Sequence, residues 1–103
     1  MKTEVAILHH EYPADVRQRI EEKLQGLVGL HEGLQSIRAT LGREHNLHRV
    51  ELVARVRRAV VLVVDERDEN LGRALDEGVH RMARVLKRNK DKLLDVHRRR
   101  MRA

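Results

Sequence analysis

The spacing of apolar positions changes several times along the chain, and each change marks an element. Thr3 to Leu8 reads as a short strand. Val16, Ile20, Leu24, Leu27 and Val28 then recur at intervals that put side chains on one face of a helix. Pro13 suits that helix's first position, where its missing N–H costs nothing, and Asp15 lies in the first turn, where the dipole favours a carboxylate. Gly29 and Gly33 bracket the exit. From Gln35 the period becomes two. Ile37, Ala39 and Leu41 alternate with Ser36, Arg38 and Thr40; after a break at Gly42 to Asn46, Val50, Leu52, Ala54 and Val56 alternate with Glu51, Val53, Arg55 and Arg57. This alternation predicts two half-buried strands, antiparallel neighbours. A tight connection near Arg58 leads to Val60 to Val64, apolar on both faces, a fourth strand.

Asp68 or Asn70 can cap a long final helix. At 100° per residue, Leu71, Leu75, Val79, Met82, Leu86, Leu93 and Val96 fall within an arc of about 100°. Arg81, Arg84, Arg88 and Lys92 occupy a separate arc of about 80°, centred about 120° away. One face therefore packs on the sheet while a neighbouring face presents one cation per turn, about 5 to 6 Å apart, close to the spacing of successive phosphates along a strand. Gly72 and Gly78 each weaken the helix by about 0.8 to 1 kcal/mol relative to alanine.

The order β-α-β-β-β-α, with apolar faces that can all point one way, predicts an α+β fold: a four-stranded mixed sheet with two helices packed on one face. A right-handed crossover makes the first two strands parallel neighbours and the rest a meander, which leaves Ala59 to Val64 at a sheet edge. The other sheet face presents Arg38, Thr40, Glu51, Arg55 and Arg57, mixed in sign and therefore solvated. Residues 1–97 form one domain, and 98–103 a basic C-terminal tail.

Charge sharpens this picture. Residues 1–66 carry ten Lys/Arg against ten Asp/Glu, so the formal +6 of the 103-residue chain comes entirely from residues 67–103. From Arg81 onward there are ten basic residues against two acidic ones, Asp91 and Asp95. A basic excess gathered at one end is the footprint of a polyanion binder, since each phosphate contact releases counterions. With Tyr12 the only aromatic residue, stacking on an aromatic platform cannot dominate, and backbone and shape readout of folded RNA is expected.

Other chemistries find little support. The absence of cysteine excludes disulfides and thiolate sites. His9, His10, His45 and His48 invite a metal reading, but His9 and His10 would point to opposite faces of a strand and no HExxH spacing occurs. The carboxylates Glu21, Glu22 and Glu77 stand at exposed helix positions, unsuited to sheltered acid–base work. Walker-type and dinucleotide glycine motifs are missing. The expectation is a non-enzymatic, cytoplasmic protein with no metal, no cofactor, no membrane association and no small-molecule substrate.

HRVE at His48 to Glu51 opens the third strand, ALD at Ala74 to Asp76 lies early in the last helix, and KRNKDKL follows at Lys87 to Leu93. In these features, in element order and in length, the sequence resembles the short form of the ribosome hibernation-promoting factor and ribosome-associated inhibitor family, without the C-terminal dimerisation domain of its long members. Gly72, His80 and Val85 depart from the family pattern. The resemblance implies a protein seated in the cleft of the small ribosomal subunit, obstructing mRNA and tRNA. On that reading Arg81, Arg84, Lys87, Arg88, Lys90 and Lys92 neutralise rRNA phosphates, Arg98, Arg99, Arg100 and Arg102 form an arm, and Arg17 and Lys23 extend the footprint. His48 anchors the start of its strand. The alternative is a non-ribosomal protein-interaction module that uses the basic helix or the edge strand Ala59 to Val64. A weak homodimer through the fourth strand is a further expectation.

Overall fold

The computed structural model describes the backbone of residues 2–7 and 12–101, and the side chains of Glu4 and residues 12–94. The elements are β1 (Lys2–Ile7), α1 (Ala14–Gln25), a 3-10 turn (Val28–Leu30), β2 (Leu34–Glu44), β3 (Leu47–Val56), β4 (Val60–Asp68) and α2 (Leu71–Met101). The class is α+β: two helices and an antiparallel sheet of three strands, β2, β3 and β4. β1 lies parallel along the outer edge of β2, with Glu4 opposite Arg38, which gives the order β1-β2-β3-β4. β4 is the other edge.

Register explains how the alternating pattern becomes a core. Ile37, Ala54 and Leu62 form one row across β2, β3 and β4, and Ala39, Leu52 and Val64 form the next. Ile20 and Leu24 from α1 and Ala74, Leu75, Met82 and Leu86 from α2 close over these rows, all buried. Burying a side chain of this size contributes roughly 1.5 to 3 kcal/mol, so the helices are held by the stripes that the spacing predicts.

Several boundaries differ from the sequence expectation. α1 ends at Gln25, and Leu27 and Val28 lie beyond it: the Leu27 N–H bonds Leu24 O at 3.0 Å, and the Leu30 N–H bonds Leu27 O at 3.2 Å. Tightening to 3-10 geometry brings Leu27 to the same core without another α-turn. Pro13 is the N-cap rather than the first helical residue, with φ −57° and an extended ψ of 153°, and its carbonyl accepts from the Val16 N–H.

β2 does not break at Gly42. Pairing runs on through Gly42, Arg43 and Glu44 opposite Arg49, His48 and Leu47, leaving His45 and Asn46 as the turn. Likewise β4 extends past Val64 to Asp68. Along these extensions the side chains turn polar and the apolar period falls silent. Ion pairs replace packing there: Arg49 to Asp65 at 2.9 Å, and Arg67 to Glu44 at 3.1 Å.

Both candidate caps of the last helix are used. The Arg73 N–H donates to Asn70 Oδ1 at 3.0 Å, while the Asn70 N–H donates to Asp68 Oδ1 at 2.8 Å, so Asn70 caps and Asp68 fixes the cap. A side chain at Gly72 would come within 3.1 Å of Asn70 Oδ1. α2 is 31 residues long, about 46 Å at 1.5 Å per residue, and overruns the sheet. Its last fully buried side chain among the described residues is Leu86; Leu93, placed on the apolar arc by the wheel, is 37 % exposed. The helix backbone continues across residue 97 through Met101. The side chain of Val96 lies outside the described residues.

Candidate nucleic-acid interface

α2 sets out the cations along its length. Arg84, Lys87, Arg88 and Lys92 are exposed and Lys90 is half-buried. None of the five makes an ion pair among the described residues, so their charge is directed outward. Arg81, the first rung of the expected series, is different. Its Nη1 donates to the Glu66 carboxylate and, at 3.2 Å, to the Asp65 carbonyl oxygen of β4. Glu66 lies close beneath α2, its Cγ 3.8 Å from where a Cβ at Gly78 would stand, an ordinary contact distance. Arg81 thus locks α2 to the edge strand, and the free series begins at Arg84.

On α1, Lys23 is similarly engaged: its Nζ lies 2.7 Å from Asp76 Oδ1, which ties the two helices together. Arg17 is exposed on the same helix. Arg98, Arg99 and Arg100 lie on the α2 backbone, but their side chains are outside the described residues, as is Arg102 entirely.

A feature the sequence did not suggest lies beside the free cations. Between the 3-10 turn and α2 runs a groove floored by Leu30, Ala83 and Leu94, with Arg84, Lys87 and Lys90 on its rim and Asp91 at its lip. His31, next to Leu30 in sequence, is 5 % exposed. The Gly33 N–H donates to His31 Nδ1 at 2.9 Å, leaving the Nε2–H to donate to Asn89 Oδ1 at 2.8 Å. This clamp ties the turn to α2. Neither an apolar period nor a motif marks His31, so only the fold reveals it.

The helix-free sheet face has a different character. Arg38, Thr40, Glu51 and Arg55 lie there as expected, while Arg57 sits in the β3–β4 turn. Arg49 bonds Asp65 and approaches Glu51 at 3.3 Å, and Arg67 bonds Glu44. Hydrogen bonds from Arg49 hold the Asp65 carboxyl below the usual carboxylate range, and the same contact raises Arg49. Charges that neutralise one another in this way leave little field for a polyanion. At the start of β3, the Tyr12 hydroxyl bonds His48 Nδ1 at 2.9 Å, so His48 does anchor its strand. Burial pushes the Tyr12 hydroxyl up, opposed by the nearby Arg43 charge.

Among the described residues no group of three or more His, Asp or Glu is placed to hold a metal. His9 and His10 lie outside them. No described helix is long and apolar enough to cross a membrane.

The fold is shared with known proteins. A ribosomal subunit interface protein from Coxiella burnetii superposes with a TM-score of 0.80 at 12 % identity, over 88 % of this chain and 99 % of that one. The N-terminal domain of Protein Y from Thermus thermophilus superposes with a TM-score of 0.73 at 24 % identity, over 82 % and 93 %. No curated protein matches in sequence. The family model described as sigma 54 modulation protein / S30EA ribosomal protein matches residues 4–94. With nearly the whole chain matched and the same fold in both neighbours, the protein belongs to this family, the hibernation-promoting factor family that its sequence resembles.

Proposed function

We propose that this protein is a ribosome-associated translation inhibitor that binds small-subunit rRNA in the mRNA/tRNA channel through α2. The observation that carries this reading is the run of exposed cations Arg84, Lys87, Arg88 and Lys92, spaced along one helix and free of ion pairs among the described residues. The fold it shares with a ribosomal subunit interface protein supports it. Inhibition is by occupancy: cations fix the protein to phosphate and its volume fills the path, so neither a cofactor nor a catalytic group is required. Arg98, Arg99 and Arg100 would add to the footprint, while Arg81 and Lys23 act mainly by holding the helices in place.

The test is a titration onto purified small subunits at increasing salt. With four to six phosphate contacts, log K falls against log salt with a slope of roughly −3 to −5. A slope near zero sinks the reading. A second reading, association through β4, is favoured by Val61 and Val63, which are 46 % and 55 % exposed on the helix-free side of an edge strand.

A further inference from the structure

We propose that the groove between the 3-10 turn and α2 receives one unstacked nucleobase, guanine in preference to the others, while the rim cations hold the flanking phosphates. The inference rests on the RNA-binding reading and adds to it a base contact that phosphate neutralisation does not contain.

The groove has the two halves of a nucleotide's chemistry side by side. Leu30 and Leu94 are 40 % and 45 % exposed, an apolar floor beside the cations Arg84, Lys87 and Lys90. A planar base covers such a floor without an aromatic partner. Its volume of about 570 Å³ leaves ample room, and a Cβ built at Gly29 would meet nothing within 4 Å, so the mouth is open. The His31 clamp to Asn89 and Gly33 preforms the site, which spares the cost of ordering the turn on binding.

Asp91 gives the preference. It stands one helical turn after Lys87, a spacing at which lysine and aspartate can pair, yet it makes no ion pair among the described residues. Its two oxygens only accept hydrogen bonds. Guanine alone among the four bases offers two adjacent donors, N1–H and N2–H, on one edge; adenine and cytosine offer a single amino group there and uracil a single N–H. Charge complementarity also favours a nucleotide over an acidic peptide. A carboxylate-bearing side chain entering the groove would meet Asp91, whereas a nucleotide keeps its negative charge at the phosphate, level with Arg84, Lys87 and Lys90, and turns its donors toward Asp91.

The experiment uses the full chain and a fluorescent single-stranded oligouridine carrying one central guanosine, compared with the same oligomer carrying adenosine or an abasic site at that position. The abasic oligomer binds about tenfold more weakly, the scale of one bidentate base contact. Adenosine falls between, and the salt slope is the same for all three. Asp91→Asn removes the preference for guanosine over adenosine, and Leu30→Ser shrinks the abasic penalty, with circular dichroism confirming that both variants are folded. Equal, salt-dependent affinity for the guanosine and abasic oligomers overturns the groove and leaves the RNA reading standing. No binding to any oligomer or to small subunits removes both. A hexaglutamate peptide that binds wild type, fails on Leu30→Ser and is not displaced by the guanosine oligomer assigns the groove to a peptide and overturns the proposal.

Discussion

At the scale of single residues, the turns carry strain that the sequence does not advertise. His45 adopts φ +55°, and Arg58 and Ala59 adopt φ +70° and +61°, although none is glycine. Two successive positive φ values within the three residues that join Val56 to Val60 favour glycine or asparagine over Arg-Ala. Ala59→Gly is therefore expected to raise stability by about 1 kcal/mol, because the left-handed conformation is unfavourable for a residue with a Cβ. Thermal unfolding reads this directly as a rise of roughly 4 to 8 °C. A tight connection near Arg58 was legible from the apolar runs on either side, but its strained geometry was not, since strand pairing imposes it from outside. Asp65 makes a second residue-level prediction. Its folded-state pKa is lowered by Arg49, so the pair's contribution is present above the ordinary carboxylate pKa and is lost as pH falls through the folded value. Stability should decline as pH drops below about 4, and Asp65→Asn should flatten that decline in acid titrations followed by circular dichroism. An unchanged acid limb in the variant would show that the pair is inconsequential.

At the scale of elements, one helix does two jobs on separate faces, which makes them separable by mutation. Arg84→Glu with Arg88→Glu should abolish binding to small subunits while changing stability by only about 0.5 kcal/mol per site, because both side chains are exposed. Leu86→Ala should cost about 2 to 5 kcal/mol, since Leu86 is fully buried beneath the helix. Arg81→Ala tests the correction the structure makes. Its pairing with Glu66 predicts a smaller loss of binding than at Arg84, together with a looser docking of α2 on β4. Equal binding losses at Arg81 and Arg84 would return Arg81 to the phosphate-binding set. The wheel found both faces of α2 because each is periodic. It could not find Glu66 under Arg81, which depends on strand register, nor the groove at Leu30, which depends on where the 3-10 turn docks. Leu93 shows the same limit from the other side: periodicity gives a direction from the helix axis but not whether anything lies there to pack against.

At the scale of the whole molecule, charge and the open edge act against each other. Two copies paired along β4 would continue one sheet and bring their α2 helices into the same neighbourhood. Arg81 reaches over β4, and Arg88, seven positions along, lies on nearly the same side of the helix and is exposed. Each copy also carries a formal +6. Repulsion of this kind is screened over about 10 Å at 0.1 M salt and over about 3 Å at 1 M, while burial of Val61 and Val63 is indifferent to salt or strengthened by it. Self-association through β4 should therefore be weak at low salt and rise with salt, opposite in sign to binding of RNA, which weakens as salt rises. Sedimentation equilibrium at high protein concentration across the salt range checks this. Val63→Lys, which places a charge in the middle of the exposed row, should keep the protein monomeric at every salt concentration and leave binding to small subunits intact. If the unaltered protein stays monomeric throughout, or if association weakens as salt is added, β4 is not a self-pairing edge, and Val61 and Val63 are simply solvent-exposed residues of a sheet whose partners all lie on the other side.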